Sequence, residues 1–166
     1  MRNAAGVLLM AAAALIQVTW APRLAVAGAF PNLVLVAVVA ITWASGVRPA
    51  LVWACVGGVL LDLTSTGPVG PHALALLVGA YVVGLGIGNL ERVTPVRVAV
   101  TGVAATLLYS AVLLLADNLL GLPVPAAGVA LQLAIAAAAY NAVLAPLAFE
   151  LARRLHRKSP SPTAGS

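Results

Sequence analysis

Charge is what this sequence has least of. Only 8% of its residues are charged, and the acidic ones number four: Asp62, Glu91, Asp117 and Glu150. A soluble domain averages roughly 25%. A 166-residue chain that is 63% hydrophobic cannot hide that surface in water, because so small a sphere exposes much of what it carries. The bilayer is therefore the solvent. Cysteine is nearly missing too. The single Cys55 excludes an intramolecular disulfide and any multi-cysteine metal motif, and reads as a small buried packing residue in an apolar helix. Histidine is limited to His72 and His156, and no Ser-His-Asp arrangement can be built around either. Alternation is absent as well. Membrane barrel strands alternate apolar and polar residues, whereas here both alternate positions are apolar and rich in Ala and Leu, which favours helix.

What is present is a series of apolar runs. A helix needs about 20 residues to cross the hydrocarbon. Six segments are expected: 4–20, 26–45 with Pro31-Asn32 interrupting its first part, 50–63, 72–90, 98–116 and 126–149. The links between them carry turn formers, notably Thr64–Pro71 and Gly121–Pro125. Residues 1–158 read as one transmembrane domain and 159–166 as a disordered tail of Ser, Pro, Gly and Thr. Six crossings place both ends on one side. With that side cytoplasmic, Arg2, Arg48, Arg92, Arg97, Arg153, Arg154, Arg157 and Lys158 lie inside and Arg23 alone lies outside, as the positive-inside rule asks. The net charge of +5 thus points to anionic lipid at the membrane surface and not to nucleic acid. Arg2, the first apolar run and Ala25-Val26-Ala27 also resemble a cleavable signal peptide. Arg23 fits such a site poorly, so a retained first helix is expected.

Few residues inside these segments carry chemistry. A carboxylate costs about 2.5–3.5 kcal/mol near the bilayer centre, which makes Asp62 the most informative position. Ala54, Gly58 and Asp62 recur every four residues, forming a stripe of small residues that lets another backbone approach. Asp62 either caps the turns of the following loop or contacts a partner, proton or ligand. Ala80, Gly84 and Gly88 form a second stripe, for helix packing or partner binding. The run Gly84-Leu-Gly86-Ile-Gly88 lacks the strand and Lys-Ser/Thr of a phosphate loop. Tyr81, Tyr109, Tyr140 and Asn141 are polar groups inside the segments, available for interhelical hydrogen bonds or a cavity lining. Trp20, Trp43 and Trp53 fit an interfacial belt. His72 reads as a loop hydrogen-bonder, with no neighbour set to complete a metal site.

Several of these residues carry a resemblance. Pro31-Asn32-Leu33, the turn with Gly46 and Pro49, Gly58-Val-Leu-Leu-Asp62-Leu, and Gly67-Pro-Val-Gly70-Pro-His72-Ala73-Leu74 resemble the rod-shape-determining MreD family. The resemblance implies an all-α, six-helix membrane bundle similar to the substrate-binding subunits of energy-coupling-factor vitamin transporters. It implies a non-enzymatic scaffold without cofactors in the bacterial inner membrane. Its partners would be a bitopic MreC-like protein and, through it, an elongation glycosyltransferase, a class B penicillin-binding transpeptidase and, indirectly, MreB. The vitamin-transporter likeness supplies the alternative function.

Overall fold

The structure is a computed structural model that describes residues 2–20, 23, 28–65, 67–87 and 93–157. Six helices follow in order: α1 (Arg2–Thr19), α2 (Leu33–Ser45), α3 (Val47–Thr64), α4 (Pro71–Ile87), α5 (Pro95–Leu119) and α6 (Ala127–Arg157). α3, α5 and α6 are long and apolar enough to cross a bilayer, while the apolar part of α1, α2 and α4 are shorter.

Local chemistry sets the helix boundaries. The second apolar run is expected from residue 26, yet α2 starts at Leu33. Pro31 disfavours helix at the residue before it. Asn32 is extended, and its side chain accepts from the Leu35 N–H at 2.9 Å as an N-cap. Gly46 alone separates α2 from α3, with a φ of +89° that favours glycine. Because the chain re-enters helix at once, α3 begins at Val47 and takes Pro49 into its first turn, where a proline is tolerated. Thr94 caps α5 through the Arg97 N–H, with Pro95 opening the helix.

Pairwise contacts show that the helices alternate in direction. Gly58, late in α3, lies against Ala73, early in α4, while Val47, at the start of α3, lies against Gly84, late in α4. Gly102 in α5 meets Ala145 in α6. Trp43, late in α2, donates from Nε1 to Thr101 Oγ1, early in α5, at 2.9 Å. The bundle therefore has two chemically distinct ends. Arg48, Arg97, Arg153 and Arg154 gather at one, here called the arginine end. Asp62, His72 and Asp117 gather at the other, the carboxylate end, with Arg23 stacked over Trp20 at 5.9 Å.

α2 is the axis of the molecule. It touches all five other helices, and Val34, Leu35, Val38 and Val39 are almost wholly buried. Thirteen residues rise only about 20 Å, well short of the ~30 Å hydrocarbon. Surrounding protein makes that length and its non-helical entry tolerable, since irregular backbone at membrane depth survives only when shielded from lipid. α6 has the opposite character. It runs past the apolar segment through Arg157, and Glu150 holds Arg153 at 2.7 Å and Arg154 at 2.9 Å at helical spacing.

Four side chains depart from expectation. Trp43 sits near a helix end but is buried and bonded to Thr101, and Trp53 packs beside Gly6, so neither ring joins an outward-facing belt. Cys55 is exposed, because the buried stripe of α3 is formed by Ala50, Ala54, Gly58 and Leu61. Tyr81 points outwards and is 53% exposed.

Candidate functional site

Two clusters of buried polar groups organise the carboxylate end. The first is centred on Asp62, which is 1% exposed in the last turn of α3. Its Oδ1 accepts from the His72 N–H and faces His72 Nδ1, both at 2.9 Å. Its Oδ2 accepts from the Gly70 N–H at 2.9 Å and the Ala73 N–H at 3.2 Å. Three of these partners are backbone amides at the start of α4, which a helix cannot satisfy internally. The carboxylate therefore caps the next helix from the end of the previous one. Its charge opposes the α3 dipole but complements the positive N-terminus of α4, which offsets that penalty. Gly70, at φ +133°, turns the chain so that its amide and that of His72 converge on one carboxylate.

The second cluster holds the start of α2. Besides the Asn32 cap, the Val34 N–H donates to Gln17 Oε1 of α1 at 3.1 Å. The Asn32 N–H donates to Asn141 Oδ1 of α6 at 3.1 Å. Asn141 Nδ2 in turn donates to Thr106 Oγ1 of α5 at 2.9 Å, and that hydroxyl donates to the Gly102 carbonyl at 2.7 Å. Pro31, Asn32 and Leu33 thus form a helix entry whose amides are shared among α1, α2 and α6. Tyr109 links the two clusters. Its hydroxyl meets the Asn32 side chain, and its ring stands edge-on to His72 at 6.3 Å.

Above these clusters lies a partly open cavity of about 870 Å³. Its walls are the second half of α5 and the first half of α6, with Gln17, Asn32, His72 and Tyr109 among the polar lining and Asp117 also at its edge. Of the two roles open to it, interhelical bonding and cavity lining, Tyr109 takes both. Tyr81 does not line the cavity, since it faces away from the bundle, and Asn141 lies behind it in the α2 cluster.

The small-residue stripes fall inside the chain. Ala54 and Ala80 are 0% and 1% exposed, and Gly58 and Gly84 are buried. A Cβ on Gly58 would stand 2.2 Å from Ala73 Cα, and one on Gly84 would stand 2.2 Å from a Val47 methyl. Both stripes are thus used by the α3–α4 contact, which leaves no face there for a foreign helix. Gly88 lies outside the described residues, as do the Glu91–Arg92 link, Ala25-Val26-Ala27 and 159–166.

Sequence reading leaves three participants unnoticed: Gln17, Thr106 and the capping role of Asn32. The available signal is weak but physical. Gln17 and Thr106 are polar residues set in apolar runs, and buried polar groups need partners.

No curated relative and no solved structure matches the chain. The motif that carries Asp62, the Pro31–Leu33 entry and the residues that complete both clusters all fall within residues 3–155, the span matched by the family model described as rod shape-determining protein MreD, and the chain belongs to that family.

Proposed function

We propose that this MreD-family protein is a non-enzymatic scaffold of sidewall peptidoglycan synthesis, crossing the bacterial inner membrane six times with both termini in the cytoplasm. In this reading it binds a bitopic MreC-like protein. Through that partner it positions an elongation glycosyltransferase and a class B penicillin-binding transpeptidase, with an indirect link to MreB. The observation that carries the reading is the family match, which spans nearly the whole chain and belongs to a family of shape-determining proteins, not of known enzymes. The use of the polar groups supports it. Asp62, Asn32 and Asn141 are occupied in joining helices and hold no reactive arrangement.

The test is co-purification of the MreC-like partner with the tagged chain from solubilised membranes, paired with depletion of the chain in growing cells. Retention of the partner and rounding of cells on depletion are expected. A well-folded chain that leaves the partner behind would overturn the scaffold role.

One observation favours a second reading, a substrate-binding subunit of a vitamin transporter. It is the cavity, whose size falls within the range of small-molecule sites. Stabilisation of the purified chain by a single water-soluble vitamin would promote this reading over the scaffold.

A further inference from the structure

The cavity wall is short-sided in part. α6 lines it with Ala130, Ala134 and Ala137 as well as Leu131 and Leu133, opposite Leu113 of α5. The space, about 870 Å³, is far larger than a packing defect. Its walls are mostly aliphatic, so over most of its length ordered water, which needs two to four polar partners per molecule, finds nothing to bond to. That part of the space suits hydrocarbon.

The polar groups restrict the rest of that occupant. His72, Tyr109 and Ser110 reach the cavity from α4 and α5 and supply hydrogen-bonding groups. Asp62 holds His72 Nδ1, which leaves Nε2 as the free ring nitrogen. Asp117 adds a carboxylate, and no lysine or arginine lies among the described lining residues. A phosphate or carboxylate head at that edge would meet a like charge, with no cation among the described lining residues to balance it.

We propose that the cavity binds a single-chain amphiphile with an uncharged, hydroxyl-bearing head, of the monoacylglycerol class. The chain lies against the alanine face of α6, and the hydroxyls bond to His72, Tyr109 and Ser110. The face of α5 that lines the site runs from Thr106 to Asp117, about 16 Å of helix, so a long acyl chain has room to lie along it. This proposal stands apart from the scaffold function, which neither requires nor excludes an amphiphile.

The experiment uses the purified full chain in detergent, titrated with 1-monooleoylglycerol, oleate or oleoyl-lysophosphatidylglycerol. Thermal unfolding and native mass spectrometry are the readouts. Monooleoylglycerol should raise the melting temperature saturably and give a one-to-one adduct, with the two anionic probes at least about tenfold weaker. Ala134→Leu fills the space and should weaken the response about tenfold while the unliganded chain stays folded. Ala130→Leu serves as a second filling variant. Asp117→Asn should narrow the gap between monooleoylglycerol and oleate. No saturable response, equal response to all three probes, or an unchanged response in both filling variants would overturn the proposal. So would filling variants that ignore lipid but lose the MreC-like partner, which would make the cavity a socket for protein.

Discussion

At Asp62 both carboxylate oxygens are engaged, and that decides how substitutions behave. Oδ1 serves two groups of His72, and Oδ2 serves the amides of Gly70 and Ala73. Asp62→Asn replaces one oxygen by an NH₂ group that cannot accept. With the NH₂ at the Oδ2 position, the Gly70 and Ala73 N–H groups both face a donor; with it at the Oδ1 position, it can donate to His72 Nδ1 and only the His72 N–H loses its acceptor. Charge-assisted hydrogen bonds contribute about 1.5–3 kcal/mol each, and a buried donor without a partner costs about 1–3 kcal/mol. Asp62→Asn should therefore destabilise by about 1–3 kcal/mol despite its near-identical shape, and less than Asp62→Ala, which leaves all three amides unpaired. His72→Ala removes only the imidazole contact and keeps the three backbone amides, so it should cost about 1 kcal/mol. Thermal unfolding of the three purified variants checks the order. A harmless Asp62→Asn would mean that the carboxylate is not the cap described. The sequence marks Asp62 as unusual because a carboxylate so near the membrane needs a reason. It does not show which amides supply it, because those lie eight to eleven residues on, across a turn whose shape depends on Gly70.

Among the helices, close approach is limited by different neighbours at the two ends of one pair. Gly58 meets the backbone of Ala73, whereas Gly84 meets the side chain of Val47. A backbone cannot move without shifting α4, but a side chain can be shortened. Overpacking costs about 1–3 kcal/mol, occasionally more. Gly58→Ala should fall at or above the top of that range. Gly84→Ala should fall lower and be rescued in large part by Val47→Ala, whereas Val47→Ala should do nothing for Gly58→Ala. Melting temperatures of the singles and doubles give the coupling directly, and equal rescue of both glycines would refute the assigned contacts. The periodicity of small residues is legible in the sequence, and so are the six helices, since apolar runs and Pro/Gly links have strong local signatures. The identity of the neighbour is not, because a stripe of small residues looks the same whether its partner comes from this chain or another. The late start of α2 is hidden for a related reason. Pro31-Asn32 visibly interrupts the apolar stretch from residue 26, but the sequence does not show that α2 begins only after it, because the cap is completed by Gln17 and Asn141 from distant helices.

The whole molecule carries an electrical polarity that its helix directions enforce. Alternation places Arg48, Arg97, Arg153 and Arg154 at one end and Asp62 and Asp117 at the other. Positive-inside bias acts on lysine and arginine in short links, so the topology proposed above puts the arginine end in the cytoplasm. Under that proposal the buried clusters acquire a sidedness, and the cavity lies towards the outer leaflet. This follows only if the bundle inserts as one unit. The bonds that tie α1, α2, α5 and α6 together make that the favoured arrangement, since withdrawing one helix would leave buried amides unpaired in lipid. Single cysteines introduced into a Cys55→Ser background test the orientation without altering any charge. Val124→Cys lies in the exposed link between α5 and α6, and Val69→Cys lies in the exposed turn before α4. Both should react with an impermeant thiol reagent on intact spheroplasts. Val93→Cys, exposed at the opposite end just before α5, should react only after the membrane is opened. The reverse pattern would turn the bundle over and place the cavity at the inner leaflet. Labelling of all three sites from one side would break the alternation itself, and with it the grouping of charges from which the orientation is derived.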